Sequence, residues 1–317
     1  MTRKSTVEVG WFGDAFGNGC RAARDLAAGE VVLRVPTSLM LSLHVGPAAS
    51  YSPVPSIVAA DPLLRATPTL GLALLIAHEK LQGSASTFTP YLEVLPTSFD
   101  VPLSWQPSDL EPLSEASPSV FTRAVNGWRM ALKQYVYLVH KAAREPQGFG
   151  KHFPVMADPT EGGHLNSTRP LFSLSLFRWA LATAITRQNE VPAAARTNSG
   201  STLALIPLWD MCNHSNSKDT DTSFVAGPLA EPSSSLQVGS VEGALECRAV
   251  KDIAKDTQVY IFYGKRPNSD LLLYSGFVPE PRPEADSSLA PLLKSLSANS
   301  HDRLPTPLTW ELEVRGV

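Results

Sequence analysis

The residues with the clearest chemical potential lie in one short segment. Leu203–Asn216 reads LALIPLWDMCNHSN, an apolar run followed at once by Trp, Asp, Cys, Asn and His. We predict a short buried strand over Leu203–Ile206 and a loop at Cys212–Ser215. Polar side chains at the end of a buried strand lie where the protein core meets a cavity. Such a cavity can bind a ligand, or a Cys–His pair there can act as a nucleophile and its base.

Spacing disfavours two of the possible chemistries for this segment. Cys212 and His214 are two residues apart, so in an extended chain their side chains point in similar directions without touching, which argues against a Cys–His hydrolase. No metal site is predicted, because the cysteines and the other histidines show no paired spacing. These residues are Cys20, Cys212 and Cys247, with His44, His78, His140, His152, His164 and His301. A hydrogen-bonded pair of Asp210 and His214 in a turn remains the simpler structural alternative.

A Gly-Asn-Gly sequence near the N-terminus offers a second candidate. Gly17-Asn18-Gly19 lacks the third glycine and the following helix of a dinucleotide fingerprint, so a nicotinamide cofactor is disfavoured. The simpler interpretation is a tight turn before a strand. The two glycines would also let the backbone approach a small cofactor closely.

A third candidate is the aromatic strand sequence QVYIFYG, residues 258–264. Aromatic residues in a strand are usually part of the core, and this suits Tyr260 or Phe262. Because side chains alternate along a strand, Tyr263 is expected on the opposite side, facing a site.

The elements that must position these residues come from distant parts of the chain. Strands are predicted at Glu30–Val35 and Thr257–Tyr263, each after a charged turn. Helical spacing predicts three helices between them, from Thr67-Pro68 to Gly83, from Ser117-Pro118 to Pro146, and over Ser173–Asn189. The predicted buried face of the second helix consists of Phe121, Val125, Trp128, Leu132, Tyr135 and Val139. A helical block is therefore expected inside a β framework.

Composition sets the general class of protein. The 317 residues allow one large or two modest domains, and a hydrophobic fraction of 43% indicates an ordinary globular core. A net charge of −3 gives no electrostatic reason to expect nucleic acid as a partner. No apolar stretch approaches the roughly 20 residues that span a bilayer, and no leader is evident. We expect a monomer with reduced thiols in the cytoplasm, with nuclear presence an open alternative, and no membrane partner.

Taken together, the motifs resemble those of the SET-domain methyltransferases of the Rubisco large-subunit methyltransferase type. Within that class the sequence is most similar to the actin-histidine N-methyltransferase branch. The resemblance covers roughly Val9 to Phe277, and Trp209 within WDMCNH, together with the sequence RQN, is specific to the histidine branch. Its anchors are Gly17–Arg21, Arg24-Asp25, Pro90-Tyr91, Leu95-Pro96, Thr186–Asn189, Leu205–His214, Tyr260–Gly264 and Ser275–Phe277.

The resemblance implies an α+β fold: a SET-domain β framework of short sheets with a knot-like C-terminal threading and an inserted helical subdomain. The implied organisation places the N-terminal part of the SET domain at residues 1–60 and the helical subdomain at 61–185. The C-terminal part, with the active site, would occupy 186–278. Residues 279–317 would be a truncated remnant of a C-terminal substrate-binding domain.

The resemblance also implies a reaction, the transfer of a methyl group from S-adenosylmethionine to a histidine of a protein, with actin as the expected substrate. The implied catalytic residues are Tyr263 and Asn189, and the implied substrate-binding residues are Trp209 and Arg266. The implied cofactor contacts are Phe16, Gly17, Asn18, Arg187, Asp210, Met211, Cys212, Asn213, His214, Ser275, Gly276 and Phe277. Two alternatives stay open: a protein-lysine methyltransferase on the same scaffold, and a catalytically weak binding module.

Overall fold

A computed structural model of the chain describes residues 6–13, 16–155, 171–193, 200–217, 219–226 and 243–279. The expected remnant at 279–317 lies outside these residues except for Pro279, and so do the first five residues of the expected N-terminal part. The expected domain boundaries stay a prediction.

Short strands from both ends of the sequence form three small sheets. Their orders are β1-β2-β10-β7, β3-β9-β8 and β4-β6-β5, in a set of ten strands within the described residues. The strands are β1 (Val7–Trp11), β2 (Asn18–Ala22), β3 (Val31–Pro36), β4 (Leu41–Ser42), β5 (Asn189–Pro192), β6 (Ser201–Leu205), β7 (Asn213–His214), β8 (Thr220–Ala226), β9 (Gly243–Ala249) and β10 (Gln258–Ile261). Each sheet joins a strand from before residue 43 to one from after residue 188, as the sequence predicted.

The aromatic strand faces the core differently from the prediction. The strand pairing of β10 ends at Ile261. Gln258 and Val259 pair with β2, and Tyr260 and Ile261 pair with β7. The buried residues of β10 are Val259 and Ile261, whereas Phe262 is 38% exposed. The interpretation of Phe262 as a core residue was therefore wrong, since the chain has left the sheet before that residue.

The segment predicted as a loop at Cys212–Ser215 contains a strand. Asn213 and His214 form β7, which pairs in parallel with Tyr260 and Ile261 of β10. A pairing of two residues leaves no periodic pattern in the sequence, which is why this strand escaped prediction.

Nine of the ten described helices lie between β4 and β5, so the expected helical block is present. The helices are α1 (Ala48–Tyr51), α2 (Val54–Ala60), α3 (Pro62–Ala66), α4 (Pro68–Gln82), α5 (Thr89–Val94), α6 (Pro107–Ala116), α7 (Pro118–Arg144), α8 (Phe149–His152), α9 (Leu174–Arg187) and α10 (Asn268–Ser275). The predicted ends of α4 are confirmed, with Thr67 as N-cap and Gly83 as C-cap. The helix predicted over Ser173–Asn189 ends two residues early, because Asn189 begins β5.

The inward face of helix α7 agrees with the predicted one in part. Phe121, Val125, Trp128 and Tyr135 pack against the core, whereas Leu132 is 39% exposed. Trp128 donates its indole N–H to the Pro102 carbonyl over 3.1 Å. The most deeply buried line lies to one side of the predicted face and consists of Val120, Ala124, Ala131, Leu138 and Ala142. Its alanines let α7 approach its neighbours closely.

The core of the helical block is centred on α4, which is buried on nearly all sides, from Leu70 to Leu81. Helix α9 packs along it and ends at the sheets. Phe149 and Phe153 stack at 4.6 Å between ring centroids and complete this core near α8. Each such fully buried ring contributes about 3 kcal/mol through loss of apolar surface to water. Helix α9 is thereby held firmly where it delivers Arg187 to the sheets.

None of the described helices is long and apolar enough to cross a membrane.

Helix α10 ends in a glycine that the local backbone requires. Gly276 has a left-handed conformation with φ of 80°, and a β-carbon there would collide with the Asp100 carbonyl. Gly29 has nearly the same φ of 82°, but open space surrounds it. Substitutions at Gly276 and Gly29 can therefore separate the free-energy cost of backbone strain from the cost of a steric collision.

We expect Gly276→Ala to lower the free energy of unfolding by about 3 kcal/mol, because strain and overpacking add. Gly29→Ala should lower it by only about 1 kcal/mol, from strain alone. Denaturant unfolding of both variants measures the difference. Equal losses would show that the end of α10 does not pack against Asp100 as described.

Candidate active site

A small cavity lies where α9 meets the two sheets that contain β5 and β10. Its volume is about 40 Å³. Seven of the predicted site residues line it: Arg187, Asn189, Trp209, Asp210, Tyr263, Arg266 and Ser275. Ile185, Thr186, Gln188 and Ile261 complete the lining. Residues that are up to 90 positions apart in the sequence therefore line one cavity.

Tyr263 is fixed by two hydrogen bonds to the segment beside it. Its backbone N–H donates to Nδ1 of His214 over 3.1 Å, and its hydroxyl donates to the Cys212 carbonyl over 2.8 Å. Burial raises the pKa of Tyr263 above its ordinary value. The phenol is therefore neutral at physiological pH. Because its proton is donated to the Cys212 carbonyl, the lone pairs of its oxygen remain available to accept from a group in the cavity.

His214 is held in place by partners on both ring nitrogens. Nδ1 accepts from Tyr263, so Nε2 carries the proton and lies 3.3 Å from Oδ1 of Asn216. Burial lowers the pKa of His214, which keeps the ring neutral. The ring packs against Tyr263 at 5.1 Å and Phe277 at 5.9 Å between centroids. His214 positions its neighbours and has no free nitrogen for proton transfer in this arrangement.

The surroundings of the thiol argue against the Cys–His interpretation of this segment. Cys212 is buried, and a hydrogen bond with the Cys20 thiol together with burial raises the pKa of the Cys212 thiol well above its ordinary value. A thiol that stays protonated is a poor nucleophile. Met211 is also buried, and neither Met211 nor Cys212 lines the cavity.

Asp210 pairs with residues other than the expected His214. Its Oδ2 accepts a hydrogen bond from the Tyr91 hydroxyl, its Oδ1 lies 4.0 Å from a terminal nitrogen of Arg187, and its carbonyl accepts from that same nitrogen over 2.6 Å. Burial raises the pKa of Asp210 to about 6, against the opposing effects of Arg187 and Tyr91. The simpler alternative of an Asp210–His214 pair was therefore wrong. Sequence reasoning gave Tyr91 no role, because nothing in its spacing indicates a partner 119 residues away.

Asn213 connects the Gly-Asn-Gly turn to the site. Its side-chain N–H₂ lies 3.2 Å from the Phe16 carbonyl, 3.4 Å from the Asn18 carbonyl and 2.7 Å from Oε1 of Gln258. The predicted tight turn before a strand is confirmed, with Gly17 at a φ of 62° immediately before β2. A β-carbon on Gly19 would lie 2.8 Å from the Asn213 nitrogen. A side chain at position 19 would therefore displace the Asn213 amide from its present position.

Two further predicted residues, Phe16 and Phe277, contact the tyrosines of the aromatic segment. Phe16 is 52% exposed and contacts Tyr260 edge to face at 6.4 Å between ring centroids. Phe277 follows the Gly276 turn and contacts Tyr263 at 6.3 Å between centroids. The exposed part of the Phe16 ring offers apolar surface to a ligand.

No protein-family model matches the chain. The human protein named actin-histidine N-methyltransferase is 31% identical over 267 residues, which is 82% of this chain and 38% of that protein. The Danio rerio protein of the same name is 29% identical over 270 residues, covering 85% of this chain and 39% of that protein. This chain therefore spans about two fifths of the length of these curated relatives.

Solved structures decide the fold. The SET domain of LSMT bound to lysine and AdoHcy superposes with a TM-score of 0.58 at 21% identity, covering 88% of this chain and 54% of that one. Rubisco LSMT bound to AdoMet superposes with a TM-score of 0.54 at 20% identity, covering 88% of this chain and 53% of that one. The chain has a SET-domain fold. The predicted fold class is confirmed, and so is the resemblance to the actin-histidine branch.

The parallel pairing of β7 and β10 brings Asn213-His214 next to the chain that leads into Tyr263. The knot-like threading implied by the resemblance stays a prediction, as do the roles of the individual site residues.

We expect Asn213→Asp to lower the free energy of unfolding by about 2 kcal/mol, because a carboxylate would replace a donor that faces three oxygen acceptors. Asn216→Asp is the matched control, since it keeps an acceptor near Nε2 of His214, and it should change stability by less than about 0.5 kcal/mol. Thermal unfolding of both variants measures this. A loss no greater for Asn213→Asp than for the control would mean that Asn213 does not hold the turn.

Proposed function

We propose that the chain is an S-adenosylmethionine-dependent protein-histidine N-methyltransferase that acts on a histidine of actin at its tele nitrogen. One observation carries this proposal: the neutral phenol of Tyr263 and the amide of Asn189 line one cavity, of which Trp209 forms a wall. The names of the relatives support the target, and the SET-domain fold supports the reaction class.

The residues present suit such a cofactor. Buried polar atoms without a hydrogen-bond partner in the described residues include a donor, Nε of Arg187, and an acceptor, Oε1 of Gln188. Unpaired buried donors and acceptors are costly, so their presence beside a cavity indicates a ligand that carries both kinds of group. The amino-acid end of S-adenosylmethionine has an ammonium and a carboxylate. The rings of Phe16 and Phe277 would cover its apolar parts next to the Gly17–Gly19 turn.

The target pocket favours a flat ring with one N–H group. The Asn189 side-chain nitrogen donates to the Arg187 carbonyl over 3.0 Å, which leaves Oδ1 free to accept from an imidazole N–H. The second imidazole nitrogen would then present its lone pair on the opposite side. Trp209 is 9% exposed and gives the cavity a flat wall. Position 189 thus supplies a polar partner that a lysine side chain would not need.

The chemistry requires alignment more than proton abstraction. When bound, S-adenosylmethionine supplies a methyl group that is already electrophilic because it is attached to a sulfonium. Imidazole has a pKa of about 6.5 and is largely neutral at pH 7, whereas a lysine amine near 10.4 must first lose a proton. The Tyr263 oxygen can face the partial positive charge on the methyl group with its lone pairs. Asn189 and Trp209 hold the ring in line and exclude water.

A second candidate is methylation of lysine, which one superposed structure favours, since the SET domain of LSMT is bound to lysine there. Asn189 and Trp209 argue for the histidine reaction, because a polar acceptor and a flat wall give an amine chain little advantage.

Further parts of the proposal concern partners and location. Actin is the partner, and the protein is monomeric and does not bind nucleic acid or membranes. It acts in the cytoplasm and can also enter the nucleus.

Methylation of purified actin with isotope-labelled S-adenosylmethionine tests the function. We expect label on one histidine, identified by mass spectrometry of peptides. Label on lysine alone would establish the second candidate. Intact cofactor binding with no label on actin would contradict the proposed reaction.

We expect Tyr263→Phe to lower the rate of methyl transfer roughly 100-fold, because one preorganised polar contact to the transferring group is lost. The affinity for S-adenosylmethionine should change much less, which calorimetry measures. Tyr135→Phe is the matched control, since the Tyr135 hydroxyl donates to the Phe172 carbonyl over 3.2 Å in the helical block. Equal losses of rate and cofactor affinity in Tyr263→Phe would mean that Tyr263 has a structural role.

A further inference from the structure

A buried ion pair that lines the target cavity is joined to the helical block by one hydrogen bond. The Tyr91 hydroxyl donates to Oδ2 of Asp210. The other carboxylate oxygen lies 4.0 Å from the Arg187 guanidinium and has no hydrogen-bond partner in the described residues. The Asp210 side chain is only 1% exposed. A carboxylate this deeply buried depends strongly on each polar partner that it keeps.

The hydroxyl of Tyr91 is held in place by the helix that carries it. Tyr91 lies in α5, and its ring packs against the main core. The Lys80 ammonium of α4 donates to the Leu92 carbonyl over 3.4 Å, and the Trp179 indole of α9 donates to the Pro96 carbonyl over 2.9 Å. These contacts fix α5 and the residues after it between two core helices. The hydrogen bond to Asp210 therefore joins a rigid element to the site.

The charge balance around Asp210 depends on few groups. Arg187 supplies positive charge from the end of α9, and Tyr91 supplies a donor from α5. The titratable and charged groups that face Asp210 in the described residues are Tyr91, Arg187, Cys212, Tyr263 and, across the cavity, Arg266. The phenols and the thiol stay neutral, because their pKa values are raised. Asp210 is thus the one acidic group beside the cavity among these residues.

We propose that Tyr91 is a positioning residue: its hydroxyl holds the Asp210 carboxylate in the orientation that pairs it with Arg187 and directs Oδ1 at the target cavity. The proposal rests on the proposed function. Methyl transfer to a neutral imidazole forms a carbon–nitrogen bond, breaks the sulfur–carbon bond and leaves a positive charge on the ring. An oriented carboxylate beside the cavity stabilises that charge, whereas a protonated Asp210 would leave Arg187 to oppose it.

The sign of the pH effect follows from the contacts. The hydrogen bond from Tyr91 favours the ionised carboxylate, so its removal raises the pKa of Asp210 further above its present value of about 6. The required ionised form is lost as pH falls through that pKa. Without Tyr91 the loss of activity should therefore begin at higher pH.

The test compares Tyr91→Phe with the wild-type chain. We expect the acidic limb of the kcat profile to move up by about one pH unit, and kcat at pH 6.5 to fall about threefold with little change in KM. Tyr51→Phe is the matched control, because the Tyr51 hydroxyl donates over 2.8 Å to Glu79, a buried carboxylate of α4 that does not line the cavity. Tyr51→Phe should lower the melting temperature and leave the pH profile in place.

A second measurement does not depend on activity. Carbon-13 NMR of protein with labelled aspartate carboxyls follows the titration of Asp210, and Asp210→Asn assigns its signal. An upward shift of its midpoint in Tyr91→Phe supports the proposal, and an unchanged midpoint or an unchanged kcat profile overturns it. Absence of methyl transfer by the wild-type chain would overturn the proposed function and the positioning role, while the NMR titration would still report whether Tyr91 controls Asp210.

Discussion

The site depends on the parallel contact between β7 and β10. Two residue pairs join these strands, and the chain then continues directly into Tyr263, whose N–H donates to His214 and whose hydroxyl donates to the Cys212 carbonyl. Strand β7 is only two residues long and takes its backbone partners from β10, which also pairs with β2. Asn213 extends the same connection to the Gly-Asn-Gly turn.

The second constraint is a buried charge, which the fold tolerates because it is surrounded by specific partners. Burial raises the pKa of Asp210 to about 6, although Arg187 and Tyr91 both favour its ionised form. A hydrophobic residue would be easier to bury at this position. Sites that keep such groups commonly use them, and this one adjoins the cavity that contains Asn189 and Tyr263.

Local signals in the sequence predicted what local interactions determine. Thr67 and Gly83 end α4 as expected, because caps act on neighbouring residues. The inward face of α7 was predicted only in part, since its most buried line lies to one side of the predicted face. Strand β7 was missed because its partner is 47 residues away. The site residues were found through the resemblance rather than through spacing. Tyr91 shows the limit of that route: it belonged to a recognised motif, but only the structure assigns it a contact with Asp210.

A structure of the chain with S-adenosylhomocysteine and a histidine-containing actin peptide tests the central claim most directly. We predict that the cofactor sulfur lies beside the Tyr263 oxygen, and that the imidazole contacts the Trp209 wall with its N–H directed at Oδ1 of Asn189. The nitrogen to be methylated should then face the sulfur. Cofactor bound away from Tyr263, or a peptide histidine outside the Asn189 cavity, would contradict the account.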